Sequence, residues 1–201
     1  DVELFLAGLR VGAPSQIGPF GPGEFIQGWR PFDVDQLNLS VTKVFGPFAS
    51  IGSDQMIFLF EAGAMSVKDM PSTSVLRFEA PATFTPGNAT VAAGSGVPQQ
   101  IGGYADDTSW GYNMLFRFEY NNVFNRINLN PTILFAHDVN GTSPTPILNF
   151  IEDRKRLTLA LTGTYLSAWD AGVSFNRFFG GGIANQIQDR DFVSAHVGYS
   201  F

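Results

Sequence analysis

The chain has 201 residues, enough for one domain with a sizeable core. Its 12 Lys and Arg residues against 18 Asp and Glu residues give a net charge of -6, which argues against a nucleic-acid partner. There is no cysteine, so disulfides, thiolate metal sites and cysteine nucleophiles are excluded. Charged residues make up only 15% of the chain while Phe occurs 20 times, a composition that an ordinary soluble fold does not explain.

Apolar and polar residues alternate along eight segments, which predicts strands with two unlike faces. The predicted strands, in chain order, are residues 2–6, 37–42, 56–62, 110–120, 127–135, 157–165, 173–176 and 193–201. The alternation is cleanest at 157–165 and weakest at 2–6. No helical period of comparable strength occurs, and no apolar run is long enough for a transmembrane helix. The sequence therefore predicts an all-β chain.

The segments between the predicted strands are alternately long and short. The long ones lie near residues 12–32, 68–106, 139–153 and 180–190, and the short ones are residues 46–53, 121–125 and 167–170. This alternation along an up-and-down meander is typical of transmembrane β-barrels, which have short periplasmic turns and long outer loops. Residues 1–201 are therefore interpreted as a single barrel domain or a portion of one.

A soluble β-sandwich would give the same period of two, so other features must separate it from a barrel. The polar faces carry mainly Thr, Ser, Asn and Gly rather than the Lys and Glu of a water-exposed surface. The last strand ends on Phe201, which resembles the terminal signature that outer-membrane assembly machinery recognises. Aromatic residues also lie near strand ends, as in the girdles of membrane barrels: Tyr120, Tyr165, Trp169, Tyr199 and Phe201 near short turns, and Trp110, Tyr112, Phe178 and Phe179 near long loops. These features favour an antiparallel transmembrane β-barrel, with the sandwich as the alternative.

The number of strands leaves two kinds of barrel open. Eight strands can close into a small barrel whose interior is nearly filled by side chains. The same strands could form one arc of a wider barrel whose other strands lie outside this sequence.

Polar residues on the predicted strands are expected to line the interior of the barrel and to set its selectivity. They are Glu61, Asn113, Arg117, Glu119, Asn128, Asn130, Thr158, Thr162, Asn176 and His196. Arg117, Glu119 and Glu61 could form a charged constriction or an ion-pair cluster that stabilises the interior, and the sequence does not separate the two. We expect His196 to lie beside Glu119 or Arg117 and to be satisfied by hydrogen bonds.

The long segment 68–106 carries apolar residues that a water-exposed loop does not need. Phe78, Phe84 and Ile101 are predicted to form a site where a hydrophobic substrate enters, or else to pack the loop onto its neighbours. Residues 138–141 resemble the start of a calcium loop, but the closing acidic ligand is missing, so a plain Asn-Gly turn is predicted. The sequence supplies no metal site and no catalytic set, and no cofactor is expected.

Several segments carry a family resemblance that covers the chain from about residue 33 to its end. They are residues 70–71, 76–81, 107–110, 137–144, 149–155, 178–181, 189–193 and 199–201. In these segments the chain resembles a Gram-negative outer-membrane family of unknown function, the domain of unknown function "thirteen-oh-two". The resemblance implies the C-terminal arc of a larger barrel and a role in moving lipids, steroids or aromatic compounds. It supplies no catalytic residues.

The expected function is therefore an outer-membrane channel or transporter for small hydrophobic molecules in a Gram-negative bacterium. Its expected partners are outer-membrane lipid, the permeants, the assembly machinery through Phe201 and other proteins of a transport system. A structural or adhesive barrel with a non-conducting interior is the alternative. An enzyme is not expected, because no Ser, His and acid set can be assembled at the rim.

Overall fold

The computed structural model describes residues 16, 20–124, 126–146 and 149–201, and it is all-β apart from two short helices. Seven antiparallel strands form one sheet, each bonded to the next along the chain. The strands are β1 Val34–Phe45, β2 Gln55–Val67, β3 Thr108–Val123, β4 Ile127–Asn140, β5 Lys155–Tyr165, β6 Trp169–Phe179 and β7 Phe192–Tyr199. The predicted all-β meander is confirmed.

Each predicted strand from residue 37 onward is present, and the predicted strand at 2–6 lies outside the described residues. Most of the observed strands extend beyond the alternating patterns, but β7 ends at Tyr199, two residues before the predicted end of the last strand at Phe201. β6 begins at Trp169 rather than at residue 173, because Trp169 pairs with Tyr165 on β5 and with Tyr199 on β7. Backbone pairing thus continues where the side-chain pattern has stopped.

The sheet is open. Among the described residues, β1 pairs only with β2 and β7 only with β6, so these two strands are its edges. Side chains on both faces of β1 are exposed throughout its length. The described strands therefore do not form a closed eight-stranded barrel.

The two faces of the sheet differ in chemistry. One face, called here the apolar face, carries Leu37, Leu159 and Val197, whose side chains are 71%, 43% and 75% exposed. In the described part of the chain all the strands belong to one sheet, so no second sheet covers this face. The opposite face, called the polar face, carries the hydroxyl and amide side chains.

Between the described strands, short turns alternate with long loops, and the predicted long loop near 12–32 lies partly outside the described residues. Residues 46–54, 124–126 and 166–168 are short turns at one end of the sheet, whereas residues 68–107, 141–154 and 180–191 are long loops at the other end. One long loop contains an unpredicted helix, α1 (Ala89–Ser95). The Asn88 side chain caps it by accepting hydrogen bonds from the Thr90 and Val91 amides, and Gly96 ends it with a φ of 69°. Among the described residues, no helix has both the length and the apolar character needed to cross a membrane.

The three long loops fold together into a cap, called here the loop cap. Ala82, Ile151 and Ala184 bring one residue from each loop into a shared buried cluster. The other buried apolar residues lie in the cap or where β2 enters it: Met65, Val67, Leu76, Ala80, Ala92, Tyr104 and Ala105. The buried core therefore lies beside the sheet's end and not on its faces.

Polar contacts fix the middle loop of the cap to its neighbours. The Asp138 carboxylate accepts hydrogen bonds from the Ile151 amide at 3.0 Å and from Arg154 Nε at 2.7 Å. The buried hydroxyls of Ser109 and Ser143 lie 3.2 Å apart. Gly141 has a φ of 78° and lies so close to the Thr108 carbonyl that a Cβ would overlap it, so this position requires glycine.

Candidate functional site

The register brings several predicted interior residues together on the polar face. Glu61 lies opposite Asn113, and Asn130 lies opposite Thr162. Hydrogen bonds also join neighbouring strands: Thr158 Oγ1 on β5 donates to Asn176 Oδ1 on β6 at 2.8 Å, and Asn128 Oδ1 on β4 accepts from the Asn122 amide on β3 at 3.0 Å. Several of the amides and hydroxyls on the polar face are thus hydrogen-bonded between neighbouring strands.

The three predicted charges do not form one cluster. Arg117 Nε lies 3.7 Å from Glu119 Oε1 on the same strand. Glu61 lies farther along the sheet, because Arg117 is opposite Ile57 and four residues of extended strand, about 13 Å, separate Ile57 from Glu61. The structure therefore contains an Arg117–Glu119 pair and a separate Glu61.

His196 has a different neighbour from the expected ones. Its Nε2 atom lies 3.3 Å from Asp170 Oδ2, across the β6–β7 ladder. Strands β4 to β6 separate it from Glu119 and Arg117 on β3. Asp170 was assigned to a turn in the sequence, but the early start of β6 places it in the strand, opposite Gly198.

A group of leucines interrupts the polar face, and it was not predicted. Leu59 lies opposite Leu115, which lies opposite Leu134, so three neighbouring strands contribute one leucine each. Alternation from Glu61 and Asn113 places these leucines on the polar face. They are called here the leucine patch, and each is half-buried. The signal in the sequence was the irregular alternation of β2.

A pocket of about 600 Å³ lies on the polar face beside the leucine patch and is called here the inner pocket. Glu61, Asn113 and Arg156 line its floor, while Phe150 and Ile187 reach it from the loop cap. A Cβ on Gly63 would lie 3.3 Å from Phe150 Cζ, so the Phe150 ring sits directly over the glycine. Part of the loop cap therefore covers the polar face at the end of the sheet that carries the long loops.

A second cavity, about 660 Å³ in volume, opens between β1, β2 and the loop cap and is called here the mouth cavity. Phe78 and Phe84 line it, as does Phe32, whose ring meets Phe78 edge-on at 5.2 Å. Leu76 and Tyr104 add buried apolar surface to its wall. The cavity combines aromatic walls with access from outside, which suits a hydrophobic small molecule.

Ile101 does not share this site with the two phenylalanines. Its side chain is 90% exposed and does not line the mouth cavity. Gln100 takes the inward position, where its side chain bonds the Phe84 and Thr85 amides and the Ala82 and Gly102 carbonyls. The loop is therefore shaped by Gln100, which the sequence did not single out.

Among the described residues, three ionisable groups in or beside the loops have shifted pKa values. Burial against the cap raises the pKa of the Asp106 carboxyl above its ordinary value. A hydrogen bond from the Thr142 amide partly offsets this rise, and the negative charge of the nearby Glu152 raises the pKa further. The residue as a whole stays exposed, so the enclosure is partial. A hydrogen bond from Lys155 lowers the pKa of Asp153, and a hydrogen bond to Asp35 raises the pKa of Lys68.

The fold and site define an all-β protein with one antiparallel sheet, unlike faces and a folded loop cap bearing an aromatic cavity. In the described ranges, no group of three or more His, Asp or Glu residues could hold a metal ion. The chain belongs to the family described as "Protein of unknown function (DUF1302)", whose family model matches residues 1–201. No match was found among curated proteins or among solved structures.

Proposed function

We propose that the chain is an arc of an outer-membrane β-barrel that passes small hydrophobic molecules across the outer membrane of a Gram-negative bacterium. The observation that carries the proposal is the apolar face, which is exposed across the sheet while the opposite face is polar. In water such a face is an aggregation hazard. Against acyl chains its burial is favourable by roughly 25 cal/mol per Å².

The placement of aromatic residues on the apolar face supports the proposal. Trp169 and Tyr199 contact each other at 4.7 Å near the short turns, and Tyr112 contacts Phe135 near the loop cap. β5 has 11 residues, so ten residue-to-residue steps, about 34 Å, separate its two ends. At the tilt of barrel strands this projects to about 26 Å, close to the apolar band of a membrane barrel.

The free edges of β1 and β7 require partners in this proposal. Unpaired backbone groups in hydrocarbon each cost several kcal/mol by estimate, so both edges must pair with further strands. Those strands would complete a wider barrel and enclose the polar face.

The mouth cavity supports hydrophobic molecules as the cargo. Its aromatic lining lies at the end of the sheet that holds the loop cap, above the polar face. A non-conducting structural or adhesive barrel is the second candidate. Phe150 and Ile187 of the loop cap reach over the polar face and would narrow the barrel interior at the end nearest the cap.

The two candidates differ in the uptake of a hydrophobic dye by intact cells. We expect cells that express the full-length protein to take up N-phenyl-1-naphthylamine faster than cells with an empty vector. Phe84→Asp should slow this uptake because it places a charge in the mouth cavity, whereas Ile101→Asp, in the same loop but outside the cavity, should not. Uptake equal to that of the empty vector would support the non-conducting barrel.

A further inference from the structure

The inner pocket carries a cation whose charge is not matched by a neighbouring carboxylate. Arg156 lies opposite Ala136 and lines the pocket floor. Its side chain forms no hydrogen bond or ion pair with any residue in the described ranges. The other two arginines near this face differ from it, because Arg117 pairs with Glu119 and Arg154 pairs with Asp138.

The leucine patch begins diagonally next to Arg156. Ala136 is opposite Arg156, and Leu134 is two residues from Ala136 on the same face. Diagonal neighbours of this kind lie about 7–8 Å apart, within reach of a long side chain. The small Ala136 side chain leaves the space between the guanidinium and the leucines open.

The leucine patch runs from β4 to β2, so its far end lies three strand spacings from Arg156. Arg156 lies on β5 and Leu59 lies on β2, so the two are about 14 Å apart across the sheet. This span matches the length of a medium-chain hydrocarbon. Glu61 borders the far end of the span, next to Leu59 on β2, and would repel a second acidic group there.

These features together describe a site with one cationic end, an apolar body and an acidic far border. A guanidinium binds a carboxylate through two parallel hydrogen bonds, and the leucines offer a surface on which hydrocarbon is favourably buried. We propose that the polar face binds a hydrophobic monocarboxylate, such as a fatty acid, with its head on Arg156 and its tail along the leucine patch. This deepens the proposed function, on which it rests, by naming the class of cargo.

Binding is measured with the full-length protein in lipid nanodiscs, using the fluorescent probe 11-(dansylamino)undecanoic acid and subtracting the signal of empty nanodiscs. Decanoate, decanol and decylamine then compete with the probe. We expect decanoate to compete most strongly and decylamine least. Arg156→Gln should weaken decanoate binding about tenfold, the loss expected for a charge-assisted hydrogen bond, and should leave decanol unchanged.

Two further variants keep the proposal falsifiable. Leu115→Asn should weaken decanoate and decanol alike, because both use the leucine patch. Arg177→Gln removes an exposed arginine from the apolar side of the neighbouring strand β6 and should change neither. The proposal is overturned if Arg156→Gln leaves decanoate binding intact, or if decanol competes as well as decanoate. Binding without dye uptake by cells would instead overturn the proposed transport and leave the site standing.

Discussion

The sheet and the loop cap are stabilised in opposite ways. The sheet has seven strands, yet its large apolar side chains are exposed and no layer covers them within the described residues. The cap has little regular structure, yet it contains most of the buried apolar residues, and both backbone groups and side chains form hydrogen bonds within it. The comparison indicates that the cap carries its own core, whereas the apolar face of the sheet has no covering layer within the described residues, as the proposed membrane location requires.

The largest expected effect comes from a charge on the apolar face of the sheet. Leu159→Arg should destabilise the protein in lipid vesicles by about 3–4 kcal/mol, because the side chain lies near the middle of a strand and would face hydrocarbon. Urea unfolding in vesicles measures the effect. Ala160→Arg, one residue along on the polar face, is the matched control and should cost far less. Equal costs at the two positions would contradict the assignment of the faces.

A smaller effect is expected from removing a buried side chain in the cap. Ile151→Ala should destabilise the cap by about 2 kcal/mol, because Ile151 is 6% exposed and packs against Ala82 and Ala184. Limited proteolysis should then cleave the long loops sooner while the sheet stays protected. Ile183→Ala serves as the control, since Ile183 is 70% exposed in the same cap. If the sheet became cleavable together with the loops, the two regions would not be independent.

The smallest effect concerns the pH dependence of the cap. Because the folded pKa of Asp106 is raised, its protonated form is favoured in the folded cap, and this contribution is lost as the pH rises through the raised pKa. Asp106→Asn should therefore protect the cap increasingly, relative to the native chain, as the pH rises through that range. Proteolysis rates of the two proteins, compared at each pH, test this. A constant ratio across the range would show that Asp106 does not titrate there.

The sequence predicted the strands and the loop lengths because both leave local patterns. It did not predict where β6 begins, because pairing with Tyr165 and Tyr199 extends the strand past its alternating residues. It also missed α1, which is short and depends on the Asn88 cap rather than on an apolar period. The core of the cap was missed because its shared cluster is made largely of alanines from distant loops.

The candidate site was predicted in part for the same reason. Phe78 and Phe84 were singled out by the composition of their loop, because aromatic residues are unusual in a segment rich in Pro and Gly. The leucine patch could not be predicted, because only the register between three strands brings Leu59, Leu115 and Leu134 together. The sequence also could not show that the Arg156 side chain lacks a carboxylate partner, because this depends on Glu119 and Asp138 pairing with other arginines.

The central claim is that the apolar face of the sheet meets lipid, and β5 offers the most direct test. These 201 residues contain no cysteine. Single cysteines carrying a spin label are therefore placed at each position from 157 to 162 of the full-length protein in membranes, after any cysteine outside these residues has been replaced by serine. We predict that odd positions are more accessible to oxygen dissolved in lipid, and even positions to a water-soluble nickel complex. Odd positions that are shielded from both reagents would reveal a packed second layer and contradict the account.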